Sequence, residues 1–292
     1  MIEAKIETVM KYSASSFSEA SSFSQALASA AFSLAVYSRA VFRSTSTAIL
    51  CAVFLSSQAA CVRGQDELQK AASLLQAASN DLAADKYDEA SRQALEAASL
   101  AKESGRIQQS AAEVLYLAGK AEESLPIFDR ANALLAENAP HNWQRGIALG
   151  TCGKWAEGAA QFKQHHDVNP DDVENSAWYY LCVAKSEGLE AAKKSVIPSR
   201  GDSRQPMMAI LQMLKGEKQP DEVLAVAAQA PEGPRRKQSM FYGELYVGLY
   251  YDSIGKAAEA EKHLRASLKF DQDHYMSDTS RVYLQHRFPA TK

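Results

Sequence analysis

Glycine and proline are scarce, 14 and 9 among 292 residues, and runs of Val, Ile and Thr are almost absent. Such a chain has little material for sheets, whereas its abundant alanine suits helix interiors. A concentrated charge of one sign is also missing. The 32 basic and 35 acidic residues leave a formal charge of −3 with no long run of either kind. A nucleic-acid partner, which needs a dense basic face, is not expected. The four cysteines include no Cys-x-x-Cys, and no His–Cys cluster has zinc spacing. There is no Gly-x-Ser-x-Gly, no phosphate-cradling glycine loop and no His-Glu-x-x-His. Neither an enzyme nor a bound metal or cofactor is expected. Apolar residues make up 46% of the chain, enough for one extended repeat domain or two small globular ones.

Residues 1–42 are rich in Ser, Ala and Phe and poor in charge. Arg43, a short polar stretch, the apolar run Thr47–Leu55 and small residues up to Cys61 follow. A basic residue, a short apolar core and a small-residue exit form a signal-peptide pattern. The run is far shorter than the ~20 residues of a membrane-spanning helix. Ser57 and Ala59 suit cleavage after Ala59. Gln58-Ala59-Ala60-Cys61 resembles a bacterial lipobox, departing from it at Gln58, where a Leu-like residue is usual. Residues 1–60 are therefore assigned to a leader, with Cys61 the candidate for lipidation and membrane tethering. Sixty residues is long for a leader, so either it is extended or the start lies downstream, with Val41 a candidate. The other reading is a disordered tail carrying one undocked helix. Residues 61–70 read as a linker.

The remainder is periodic. From Gly153, steps of 34 reach Gly119, Asp85 and, after three steps forward, Gly255. Each is followed by lysine (Lys86, Lys120, Lys154, Lys256) and then by an Ala-rich helical segment. The same lattice places small residues before the turn at Ala78, Ala112, Gly146 and Gly248. After the turn it places them at Ala90, Ser124, Gly158 and Ala260. Helix axes approach closely only where side chains are small, so these mark the crossing points of helix pairs. Four residues further on, Ala94, Phe128, Phe162 and Leu264 share the face and mostly fill the groove beside it. Pro170 terminates the clearest unit.

This pattern resembles the tetratricopeptide repeat (TPR), over 71–274 in units 71–104, 105–138, 139–172, 173–206, 207–240 and 241–274. In units 173–206 and 207–240, Glu187 and Asp221 stand where the turn glycine is due, and the helix pairs read as having shifted turns. The resemblance implies an all-α, TPR-like right-handed superhelix of about six helix pairs. A capping helix within 275–292, with Ser277 or Asp278 as its cap, would close it. The WYYLCVAKSEG, PMMAILQMLKG and FYGELYVGLYYDSIGK segments are also similar to bacterial TPR lipoproteins of the NlpI type. That likeness implies an exported, periplasmic or membrane-associated adaptor of a bacterial envelope that gathers other proteins. The alternative is a cytoplasmic TPR chaperone or assembly factor.

In such stacks the first helix of each pair lines a concave, protein-binding face. The corresponding positions are Arg106, Gln109, Glu113 and Tyr116, then Trp143, Ile147 and Gly150, then Tyr242, Leu245, Leu249 and Asp252. Gln109 and Glu113 stand where a clamp for a peptide's C-terminal carboxylate would need a cation and an amide, and Glu113 would repel a carboxylate, so that mode is disfavoured. An amphipathic helix or an extended segment with apolar anchors fits better. The remaining candidates have ordinary readings beside the functional ones. Adjacent His165 and His166 cannot chelate alone and suit a surface helix. Cys152 and Cys182 either pair across neighbouring units or are buried thiols. Arg200-Gly201-Asp202-Ser203 reads as incidental. The aromatics Trp178, Tyr179, Tyr180, Phe241, Tyr242, Tyr246, Tyr250 and Tyr251 are either core between units or groove anchors.

Overall fold

The computed structural model describes residues 45–270 and 274–289, with side chains from residue 64 onward. Of the leader assigned to residues 1–60, residues 1–44 lie outside the described residues, as does the side chain of Cys61, and residues 45–60 are helical. Every regular element among the described residues is helical. Helix α1 (Thr45–Ala83) pairs with α2 (Tyr87–Leu100), α3 (Gly105–Leu117) with α4 (Ala121–Leu134), and α5 (Trp143–Thr151) with α6 (Trp155–Val168). Helix α7 (Val173–Ser186) pairs with the short α8 (Leu189–Lys194), α9 (Met207–Leu214) with α10 (Pro220–Ala228), and α11 (Pro234–Ser253) with α12 (Ala257–Ser267). The last helix is α13 (Tyr275–Arg287).

Residues 61–70 continue α1 rather than forming a linker. Apart from Gly64, this stretch is mostly Gln, Glu, Leu and Lys, all good helix formers. No helix among the described residues is long and apolar enough to cross a membrane.

The periodic turns share one geometry. Asp85, Gly119, Gly153 and Gly255 all have positive φ, 57°, 81°, 74° and 78°. The N–H of the lysine after each reaches back five residues, to the carbonyls of Asp81, Leu115, Leu149 and Tyr251 at 2.8–2.9 Å. This long backward bond satisfies an orphan carbonyl at the helix end while the left-handed residue reverses the chain. In the two divergent units the reversal moves to Gly188 and Gly216, with φ of 96° and 78°. Asp221 instead sits in the first turn of α10, behind Pro220 and a Gln219–Glu222 capping box.

All twelve lattice packing positions are buried. A Cβ at Gly146 would stand 2.8 Å from the Phe162 ring, and one at Gly248 would stand 2.9 Å from Leu264 Cγ. In these two pairs the large residue of the second helix thus fills the gap left by the glycine of the first, close packing that admits no extra methyl group. The aromatic run is largely core. Trp178, Tyr180, Phe241 and Tyr246 are buried, and Tyr180 stacks on Tyr250 between α7 and α11 at 6.2 Å.

Candidate functional site

The last helix decides which part of the stack remains open. Helix α13 packs on α3, α5 and α12. It begins at Tyr275 with the His274 side chain accepting from the Met276 N–H, so Ser277 and Asp278 lie inside it rather than capping it. The Tyr275 ring stacks on Tyr116 (6.2 Å, 13°) and meets Trp143 edge-on (5.0 Å, 80°). Tyr283 meets the edge of Trp178 at 5.6 Å and donates to Asp252. Arg281 donates to the Leu117 carbonyl and lies 4.2 Å over the Tyr87 ring, while Arg287 lies 5.0 Å over Trp155.

The residues expected to line one open groove therefore divide. Tyr116, Ile147, Tyr242, Leu245, Leu249 and Asp252 are buried, Tyr116 beneath α13 and Asp252 bonded to Tyr283 and Lys185. Gln109 and Glu113 belong to a polar lattice between units. The Gln109 amide donates to Glu113 at 2.7 Å and exchanges bonds with Asn142, which also donates to Asn132 and caps α5. Burial pushes the Glu113 carboxyl up to about 7, with the Gln109 bond opposing it. Arg106 is exposed, and Trp143 is half-buried.

Beside Trp143 a partly enclosed cleft of about 330 Å³ remains between α5, α6, α7, α11 and the start of α13. Its walls are aromatic: Trp143, Phe162, Trp178, Tyr242 and Tyr275, with Ile147 and Met276. One end is ionic. Arg204 Nε donates to Asp202 at 3.0 Å, its Nη2 donates to both Asp202 and Asp172 at 2.6 and 2.7 Å, and its Nη1 donates to Glu174. Every guanidinium nitrogen is engaged, and Arg204 lies 5.9 Å from the Tyr242 ring centre. Glu174 also accepts from Tyr246. Burial pushes Glu174 up to about 7 although Arg204 pulls the other way. His165, buried rather than on the surface, bonds through Nδ1 to the Pro140 carbonyl at 3.1 Å, and burial lowers its pKa. It enters the cleft as a neutral ring at neutral pH.

Two buried side chains lining this cleft have polar atoms without a hydrogen-bond partner among the described residues: both amide atoms of Asn175, which is 3% exposed, and Trp178 Nε1. Buried polar groups are nearly always paired, so such orphans call for an explanation. Sequence reasoning named Trp143, Ile147 and Tyr242 of this cleft as groove residues but missed Asn175 and Arg204. A signal existed: Asn175, Trp178 and Cys182 recur at helical spacing on one stripe, so an amide sits where an apolar residue belongs. Arg204 comes from the irregular segment after α8, and no spacing ties it to Glu174.

The other candidates have structural roles. Arg200 forms a forked pair with Asp171 at 2.6–3.2 Å, and Asp202 accepts from the Val173 N–H at 3.4 Å, so the Arg-Gly-Asp segment staples its loop to the start of α7. Cys152 and Cys182 are free, and burial pushes both thiols up, Cys152 to about 12. No protein-family model and no curated protein matches this chain.

Proposed function

We propose that this protein is a non-catalytic protein-binding scaffold of tetratricopeptide type, a right-handed superhelix whose concave face receives a segment of another protein. The observation that carries the reading is the aromatic cleft beside Trp143, left open next to the part of the first-helix face, on α3 and α5, that α13 covers. Rigid aromatic rings at the mouth of a concavity are the groups that anchor peptide segments. The 34-residue lattice of turns and packing positions supports the repeat type. The envelope setting, exported or membrane-tethered, rests on the sequence pattern from Arg43 to Cys61.

Site-specific photocrosslinking in the source cells tests the binding role. A photoreactive residue at position 143 should trap a discrete partner, and one at the exposed Glu259 of α12 should not. Identical crosslinks from both positions, or none from 143, would overturn the scaffold reading.

A further inference from the structure

The chemistry of the cleft specifies more than an apolar anchor. Three carboxylates, Asp172, Glu174 and Asp202, bond Arg204, and the first two line the cleft; even with Glu174 partly protonated by its burial, the two aspartates outnumber the cation. Each nitrogen of Arg204 already donates to a carboxylate, so it has no fork to offer an anionic ligand. Of the lining rings, Tyr242 is stacked by Tyr246 and His274 and Tyr275 by Tyr116, so they form apolar walls, and the half-buried Trp143 is the ring with a face to offer a cation. Asn175 contributes one free acceptor and an amide nitrogen with free donors, the complement of a peptide group's N–H and carbonyl. Trp178 Nε1 adds one more donor.

We propose that the cleft is a recognition pocket for a basic side chain, lysine or arginine, of an extended peptide segment. The Asn175 amide would pair with the backbone of that segment, and the Asp172–Glu174 side would neutralise the cation between aromatic rings. This rests on the scaffold reading above and names the chemistry of its partner. It also accounts for Asn175: an amide that is costly to leave unpaired in the empty protein is paired when the segment binds.

The test is isothermal titration of the full-length protein with blocked pentapeptides Ala-Ala-X-Ala-Ala, where X is Lys, Arg, Gln or Glu, and with butylamine. The Lys or Arg peptide should bind at least tenfold more tightly than the Gln peptide, and the Glu peptide should bind more weakly still. Butylamine should bind at least tenfold more weakly than the Lys peptide, because it lacks the peptide group. Glu174→Gln should narrow the Lys-over-Gln ratio severalfold. Asn175→Leu should weaken every peptide at least tenfold while leaving the melting midpoint unchanged or higher, which a merely structural asparagine would not do. Equal binding of the Lys and Gln peptides, or of butylamine and the Lys peptide, would overturn the proposal. So would absence of binding by all four peptides while position 143 still traps a partner in cells, and in that case the scaffold reading survives. Failure of the crosslinking sinks that reading instead.

Discussion

Gly158 tests the register of the whole stack. It sits on α6 where α5 and α7 converge. A Cβ there would stand 2.9 Å from Cys182 Sγ, 3.5 Å from the Gly146 carbonyl oxygen and 3.6 Å from the Gly150 nitrogen. Two of these walls are α5 backbone, which cannot rotate aside, and the third is a buried thiol. Gly158→Ala sets a helix-propensity gain of about 1 kcal/mol against one squeezed sulfur contact, so its net effect is small. Gly158→Leu adds three more carbons where there is no room, and overpacking costs about 1–3 kcal/mol. For a domain of this size each kcal/mol moves the midpoint by about 2–4 °C, so a fall of about 2–12 °C is expected in thermal melts followed by circular dichroism. Cys182→Ala removes the wall that could yield. In a double-mutant cycle Gly158→Ala should therefore be about 0.5–1 kcal/mol more favourable in the Cys182→Ala background than in the wild type. An unchanged midpoint for Gly158→Leu would mean that the residue faces solvent and that the 34-residue register is misplaced.

Four further outcomes are expected. Tyr242→Ala should lower stability in urea by about 3–5 kcal/mol, because the ring is buried among Phe241, Tyr246 and His274, and Trp143→Ala by about half as much; equal and negligible losses would refute the packing. Glu113 has its pKa raised from 4.5 to about 7, so the folded state holds more protons than the unfolded one between those values. Its contribution to stability, full below about 4.5, is lost as pH rises through about 7, and Glu113→Gln should flatten that slope in melts taken across the window. A chain stopped after Phe270 should lose the cover over Tyr116 and Trp143, bind a hydrophobic dye and melt early; a midpoint like that of the full chain would show that α13 is dispensable. The mature N-terminus, read by mass spectrometry, should begin at Ala60 or at lipid-modified Cys61, and a product retaining residues 41–60 would refute export.

The helix pairs and their turns were legible because they depend on local constraints. A residue of positive φ at the reversal and a small residue at each crossing are requirements that a single position meets or fails, and Gly153, Gly146 and Gly158 meet them. The shifted turns were legible only as shifts: Gly188 and Gly216 hold them, off the lattice by different amounts. The placement of α13 was not legible. Its Ser277, read as a cap, is buried inside the helix together with Thr279 and Ser280. Short hydroxyl side chains allow close approach, and Ser280 pairs with Ser267 at 2.7 Å. The candidate site was hidden for a related reason. Asp172 and Glu174 look like ordinary helix-start carboxylates, and only the fold brings Arg204 between them.

The bond from Arg281 to the Leu117 carbonyl and the contact of His286 with the Gly119 carbonyl join residues 164 and 167 positions apart. A linear repeat array touches only neighbours, so its stability is close to a sum of adjacent pairs and its ends can melt separately. Here α13 ties the second pair to the last, so the array also holds contacts between residues far apart in the chain. During synthesis the early pairs emerge first, whereas the cover for Tyr116 and Trp143 comes from α13, well over a hundred residues later in the chain. Until α13 is made, those rings have no shield. A chain lacking α13 is thus marked by exposed aromatic surface of the kind that chaperones and aggregating partners recognise.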